Sequence, residues 1–117
     1  MGIGVGLGAD GAPCNNNLSM FQEMRLASLL PKPRLGPRTM NAKEVYRMAT
    51  LGGAEVLGME EEIGSIEVGK RADLTVLDLD FPHSSILSAV PSLEEVLAAI
   101  VYSGTAQNVV QTWVDGK

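Results

Sequence analysis

Apolar and polar positions divide this chain into a glycine-punctuated start, two helical stretches, a turn-rich middle and a mixed end. Residues 3–7 form a short apolar run broken by glycines, which predicts a buried strand opening into the loop Gly8-Ala9-Asp10-Gly11-Ala12-Pro13. Residues 18–30 carry a wide apolar face. Ser19 and Gln22 have the spacing of a capping box, and Pro31 and Pro33 stop the pattern, so a helix is expected there. A proline- and glycine-rich connector over 31–37 displays Lys32 and Arg34, with Arg38 just beyond; Asn41 and Glu44 then cap a second helix. In that helix Val45, Met48, Ala49, Gly52 and Val56 recur at helical intervals, and Gly58 is the expected stop. Gly52 and Gly53 each weaken a helix interior by about 1 kcal/mol relative to Ala. Close packing against another element is the expected reason for the pair.

From Met59 the character changes. Glu60, Glu61 and Glu62 lead into residues 63–73, where short strand-like pieces alternate with turn residues, and residues 74–79 then read as a strand. Ser92 and Glu95 open a third helix, with Leu93, Val96, Leu97 and Ile100 expected to face inward. Residues 109–114 are rich in β-formers and end in Asp115-Gly116, a hairpin-turn signal. The first strand has no preceding cap or partner and the last turn no second strand, so the pattern at both ends predicts a segment of a larger fold.

Composition narrows the function classes. The 117 residues are 45% hydrophobic and 20% charged, an ordinary balance for one globular domain. No apolar run approaches the roughly eighteen residues that cross a bilayer, and Met1-Gly2-Ile3-Gly4 lacks the basic start of a signal peptide, so no membrane partner and a cytoplasmic location are expected. A net charge of -5 argues against the phosphate-neutralising surface that nucleic acid requires. One cysteine, Cys14, excludes an internal disulfide and any multi-cysteine zinc site.

Each candidate site has a plain structural counterpart. Gly6-Leu7-Gly8-Ala9-Asp10-Gly11 fits G-x-G-x-x-G, but Pro13 and the asparagine run precede any helix and no ribose-binding acid follows at the required distance. A dinucleotide loop is rejected. Asp10, flanked by glycine, can approach a metal or water without bulky neighbours; on residue type alone a turn aspartate is favoured. Asn15, Asn16 and Asn17 read as turn and capping residues, or as amides lining a polar pocket. Cys14 has no histidine nearby to make it a nucleophile. His83, the single histidine, follows Pro82 in an apparent loop and cannot supply a metal site alone. The three glutamates read as a solvated helix end or loop, and Lys70-Arg71 with Asp73 as a turn that positions the next strand.

Gly8-Ala9-Asp10-Gly11-Ala12-Pro13-Cys14-Asn15-Asn16-Asn17, followed by Phe21-Gln22-Glu23-Met24-Arg25, resembles the last barrel strand and loop of the amidohydrolases. The nearest group is the S-adenosylhomocysteine/methylthioadenosine deaminases and triazine chlorohydrolases, with cytosine and guanine deaminases further out. Ala49-Thr50-Leu51-Gly52-Gly53-Ala54 looks like that family's helix after the barrel. Ile63-Gly64-Ser65-Ile66-Glu67-Val68-Gly69-Lys70-Arg71-Ala72-Asp73-Leu74 and residues 109–117 look like its small β-sandwich. The likeness runs in order along nearly the whole chain.

The resemblance implies an α/β fold: the C-terminal part of a (β/α)8 metal-dependent hydrolase barrel over residues 1–58, and part of a composite β-sandwich domain over 59–117. It implies one divalent metal, zinc or iron, held by a His-x-His pair, a further His and Asp10, which activates water against a ring carbon bearing an amino group or chlorine. Asp10 would bind the metal and carry the proton, while Asn15 would lie near a small heterocyclic substrate. The His-x-His, the other metal histidine and the acid glutamate are not in this sequence. The chain alone is therefore expected neither to hold the metal tightly nor to turn over substrate, and to self-associate or to need an N-terminal partner segment. The rival reading is a non-catalytic stand-alone binding or oligomerising module derived from such a gene.

Overall fold

Helix α1 (Met20–Leu29) starts where the Ser19 hydroxyl accepts the Gln22 N–H at 3.4 Å, covering one of the N–H groups that no intrahelical carbonyl reaches. Half of the expected capping box forms, because the Gln22 side chain accepts from the Asn17 amide and does not reach back to Ser19. The computed structural model describes residues 2–80 and 89–117. The connector expected at 31–37 contains a single helical turn, α2 (Lys32–Leu35), with Pro33 in its first turn, where a missing N–H is tolerated.

Helix α3 (Ala42–Ala49) carries the full box: Asn41 Oδ1 accepts from Glu44 N at 3.1 Å and Glu44 Oε2 from Asn41 N at 2.9 Å. The single helix expected to continue to Gly58 is in fact two. At Thr50 the backbone leaves helical angles (φ -124, ψ -107). The Thr50 hydroxyl donates to the Tyr46 carbonyl at 2.8 Å, occupying the acceptor its own N–H would use in a continuing helix. That N–H goes to Arg47 O at 3.2 Å instead. Helix α4 (Leu51–Leu57) follows and stops, as expected, at a left-handed Gly58.

The paired glycines have the close neighbours the sequence required. A Cβ on Gly52 would lie 2.9 Å from the Arg47 carbonyl oxygen, and one on Gly6 would lie 3.1 Å from Gly53 Cα. The start of the chain therefore crosses α4 at backbone contact. The buried strand expected over 3–7 does not form: Ile3 is 89% exposed and Val5 55%. Leu7 N donates at 3.4 Å to Met48 O in α3, not to a strand. A strand needs a neighbour's ladder for its backbone groups, and among the described residues none runs beside this one.

The strand-like pieces expected within 63–73 are turns. Lys70 draws them together: its ammonium donates to Glu60 O at 2.5 Å and Ser65 Oγ at 2.6 Å, leaving Ile66 and Val68 facing solvent. Arg71 and Asp73 do lead into strand β1 (Leu74–Leu77), shorter than the run to residue 79. It pairs antiparallel with β2 (Val109–Trp113), Leu74 opposite Trp113; between the Val76 and Leu77 pairs β2 carries one extra residue, Val110. Asn108, fully buried, closes the end of this ladder. Its Nδ2 donates to Asp78 O at 2.8 Å, and its Oδ1 accepts from Thr105 N at 2.9 Å and Thr105 Oγ1 at 3.1 Å. At the other end Asp115 (φ 52) and Gly116 (φ 75) make the hairpin turn, and Val114 and Lys117 exchange backbone bonds at 3.1 Å. The turn docks on the residues ahead of β1 through Gly116 N to Ala72 O at 3.1 Å and Asp115 N to Asp73 Oδ1 at 2.7 Å.

Helix α5 (Leu93–Ala98) has the expected Ser92/Glu95 box and runs into a π-helical turn, Ala99–Ser103. The wider turn buries two consecutive residues, Ile100 and Val101, which with Met24 and Val45 make the centre of the core. Phe21, Leu77 and Leu79 pack around them, and Leu7 joins from the start of the chain. Leu93, expected to face inward, is 67% exposed, because the buried face of α5 begins one turn later at Leu97. Ser28, also fully buried, is satisfied by the Met40 carbonyl at 2.6 Å and the Tyr102 hydroxyl at 2.8 Å. The α/β expectation holds in its coarse form, helices with a small sheet; among the described residues that sheet is two-stranded and antiparallel.

Candidate functional site

Asp10 is exposed and takes a left-handed backbone conformation (φ 55), which a short carboxylate tolerates by bonding the local backbone. Its Oδ1 accepts the Gly11 N–H at 2.7 Å. Gly11 then turns the chain, its carbonyl accepting both Cys14 N and Asn15 N at 2.9 Å. Asn15, half-buried, uses its side chain on the same loop and on α1. Oδ1 accepts from Asn17 N at 3.0 Å and Leu18 N at 3.3 Å, and Nδ2 donates to Glu23 Oε1 at 2.6 Å. One Asn15 amide hydrogen remains for another acceptor. Leu18 closes the loop at φ 48, a conformation costing a side chain of this kind roughly 1–2 kcal/mol. Left-handed residues thus bracket the segment from 10 to 18.

Cys14, Asn16 and Asn17 share this loop and are exposed, while the other sequence candidates fall elsewhere. The glycine motif at 6–11 does not open a helix, since α1 begins at Met20, and the rejection of a dinucleotide loop holds. Glu62 pairs with Arg71 at 2.7 Å on the surface, while Glu60 is half-buried. His83 lies outside the described residues. Glu67 has a carboxyl held below its ordinary range, first by a hydrogen bond from Ser65, then by one from Lys70 and that ammonium's charge. One open cleft of about 420 Å³ lies between the start of α1 and residues 104–109 and touches the loop at Asn17 and Leu18, and another of about 740 Å³ lies between α3 and α5. Asp10 and Asn15 line neither of them.

Asp10 offers one carboxylate with an oxygen to spare, which fits the part of a single hard-metal ligand. Among the described residues no group of three or more His, Cys, Asp and Glu converges, so the remaining ligands of any such ion would come from other residues. Glu23, which joins this loop to α1 through Asn15, carries no motif that marks it in the sequence. Its signal, an acid eight residues after an asparagine across a helix start, follows no periodicity.

The amidohydrolase family pattern matches residues 1–117; the chain belongs to the amidohydrolase family. It is 47% identical over 116 residues to the 5'-deoxyadenosine deaminase of Methanobrevibacter smithii, covering 98% of this chain and 26% of that protein. It is 42% identical over 117 residues to the 5-methylthioadenosine/S-adenosylhomocysteine deaminase of Thermococcus onnurineus, covering 99% and 26%. A solved adenosine deaminase from Xanthomonas campestris with bound zinc superposes with a TM-score of 0.87 at 38% identity, covering 98% of this chain and 25% of that one. A triazine hydrolase variant and an atrazine chlorohydrolase share the fold as well, so the deaminase and chlorohydrolase group named by the resemblance stands. The chain spans about a quarter of the length of the curated relatives it matches. Among the described residues no helix is long and apolar enough to cross a membrane.

Proposed function

We propose that these residues serve as the C-terminal part of a metal-dependent hydrolase that deaminates a purine-like heterocycle, an adenosine derivative first of all. In this reading residues 1–58 complete a (β/α)8 barrel, residues 59–117 part of a β-sandwich, and the protein works in the cytoplasm. The observation that carries it is the exposed Asp10 carboxylate, with one oxygen on its own turn, in a chain alignable along its length with a zinc-containing adenosine deaminase.

The chemistry divides between what Asp10 does and what it needs. Deamination forms a C–O bond from water, breaks the C–N bond and moves a proton from that water to the departing nitrogen. A carboxylate within reach of both can make the transfer, a contribution of about 10²–10⁴-fold. Asp10 is exposed and commits one oxygen to Gly11 N, leaving the other for this work. A divalent metal, zinc or iron, would be held in part by Asp10 and, when bound, supplies Lewis-acid activation of water at neutral pH. Asn15 retains one amide hydrogen, enough to orient a ring nitrogen or hydroxyl of the substrate. Dechlorination of a triazine is the same displacement with another leaving group.

The test is to supply 5'-deoxyadenosine, methylthioadenosine, S-adenosylhomocysteine and a chlorotriazine to the full-length metal-loaded protein. Ammonia release from an adenosine derivative, with the ultraviolet change of adenine to hypoxanthine, is expected. No release from any of them would end the reading. The 117 residues alone are expected to be inactive and to retain no stoichiometric metal.

The alternative, a non-catalytic binding or oligomerising module, is favoured by one observation: Leu29, Leu30 and Leu35 are 45%, 72% and 62% exposed on and after α1. Apolar surface of that kind promotes association. Both readings expect the isolated chain to self-associate or to accept a complementary N-terminal segment, and a monodisperse monomer by light scattering contradicts both on that point. Only the enzyme reading expects added N-terminal segment to restore metal binding.

A further inference from the structure

We propose that Glu23 is a positioning residue for Asp10, an inference that rests on the role proposed for Asp10 above. The geometry is a relay from helix to loop. Glu23 Oε1 accepts from Asn15 Nδ2 at 2.6 Å in a partly buried contact. Asn15 N donates to Gly11 O at 2.9 Å, and Gly11 N donates to Asp10 Oδ1 at 2.7 Å. The same Asn15 side-chain amide accepts from Asn17 N and Leu18 N, so it ties the end of the loop to α1, while the backbone N–H ties the residue to Gly11.

Glu23 gives that amide its anchor. It stands beside Met24, which is 6% exposed in the core, so the contact moves with the packed helix and not with the loop. The second tie between loop and helix, Asn17 to Gln22, is exposed. A hydrogen bond to an ionised acceptor is stronger than a neutral one, which suits an acid at this position. Left-handed Asp10 and Leu18 make the loop one that relaxes when its restraint is removed. Residues bonded directly to a metal ligand typically change affinity or activity by about 10–100-fold when lost, and Glu23, three hydrogen bonds from Asp10, is expected at the low end of that range.

The experiment compares Glu23→Ala and Glu23→Gln with the parent in the full-length protein. Backbone amide exchange over residues 14–18 is read by mass spectrometry, zinc affinity by chelator competition, and kcat and KM separately. Glu23→Ala is expected to speed exchange there by about tenfold and weaken zinc by about tenfold. It should lower kcat in proportion, with a smaller rise in KM, because Asn15 loses its anchor as well. Glu23→Gln, which keeps an acceptor oxygen, is expected to restore all three to within about threefold. Parent-like exchange and zinc affinity in Glu23→Ala would overturn the proposal, as would a Glu23→Gln as impaired as the alanine. Should Glu23→Ala fail to fold, Asn15→Ala breaks the same link from the loop side, and unchanged exchange at Asn17 and Leu18 would equally overturn it. If the parent deaminates nothing, the catalytic reading fails alone, because the exchange comparison still decides whether Glu23 orders the loop.

Discussion

The helical cluster around Met24, Val45, Ile100 and Val101 and the segment 2–19 hold their shapes by different means. The first is held by burial: Val45 and Val101 are fully enclosed and the helices meet through them. The second buries little and is held by short polar links, Asp10 to Gly11, Asn15 to Gly11 and Asn15 to Glu23. Burial fixes the platform, while polar links fix the angle at which one carboxylate is presented. Substitutions in the first region should therefore move stability and those in the second should move chemistry.

The largest stability effect is expected at Gly104, where a Cβ would lie 2.3 Å from Ile100 O and 2.7 Å from a Phe21 ring carbon. Gly104→Ala must push α1 off the π-helical turn; a loss of about 2–3 kcal/mol, the scale of overpacking, should appear as a lowered midpoint in urea. Next comes Asn108→Ala, which strips partners from the Asp78 carbonyl and the Thr105 N–H at the head of the sheet. About 2 kcal/mol is expected, read by thermal melting. Ser92→Ala removes a helix cap that accepts from Glu95 N at 3.2 Å and should cost about 1 kcal/mol. A melting temperature unchanged in any of these would break the assignment of stability to the packed region.

Glu67 gives the smallest effect, and its sign follows from the lowered carboxyl. Ser65 and Lys70 favour the ionised form in the folded chain. The resulting stabilisation is present above the ordinary carboxylate range and is lost as pH falls through the lowered folded value. The site is solvent-exposed, so Glu67→Gln should only slightly flatten the acid limb of stability between neutral pH and about pH 3. Urea titrations at several pH values check this, and a steeper limb in the variant contradicts the sign.

What the sequence made legible was local and written in side chains. Asn41 with Glu44, Ser92 with Glu95, the stop at Gly58 and the Asp115-Gly116 turn each formed as their spacing required. The misses came where a tertiary contact competes with a pattern. Thr50 divides one helix because its hydroxyl takes the Tyr46 carbonyl, and no apolar periodicity records that. Lys70 gathers residues 60–70 into turns by spending a long side chain inward, where β-rich Ile66 and Val68 had suggested strands. Residues 3–7 have a strand's composition, but composition cannot supply the neighbouring ladder. Of the candidate site, Asp10 and Asn15 were visible as polar residues in a glycine-flanked loop. Glu23 was not, since its role lies in a contact and not in a motif.

Asp10 completes the comparison, because it should contribute almost nothing to stability and nearly everything to chemistry. The direct measurement is zinc content and adenosine-derivative deamination by the full-length protein carrying Asp10→Asn, which keeps an acceptor for Gly11 N but loses the charge. An unchanged melting temperature of the metal-free protein, sub-stoichiometric zinc and turnover lowered by about 10²–10⁴-fold are expected. A variant that keeps full zinc and parent-like turnover would contradict the account at its centre.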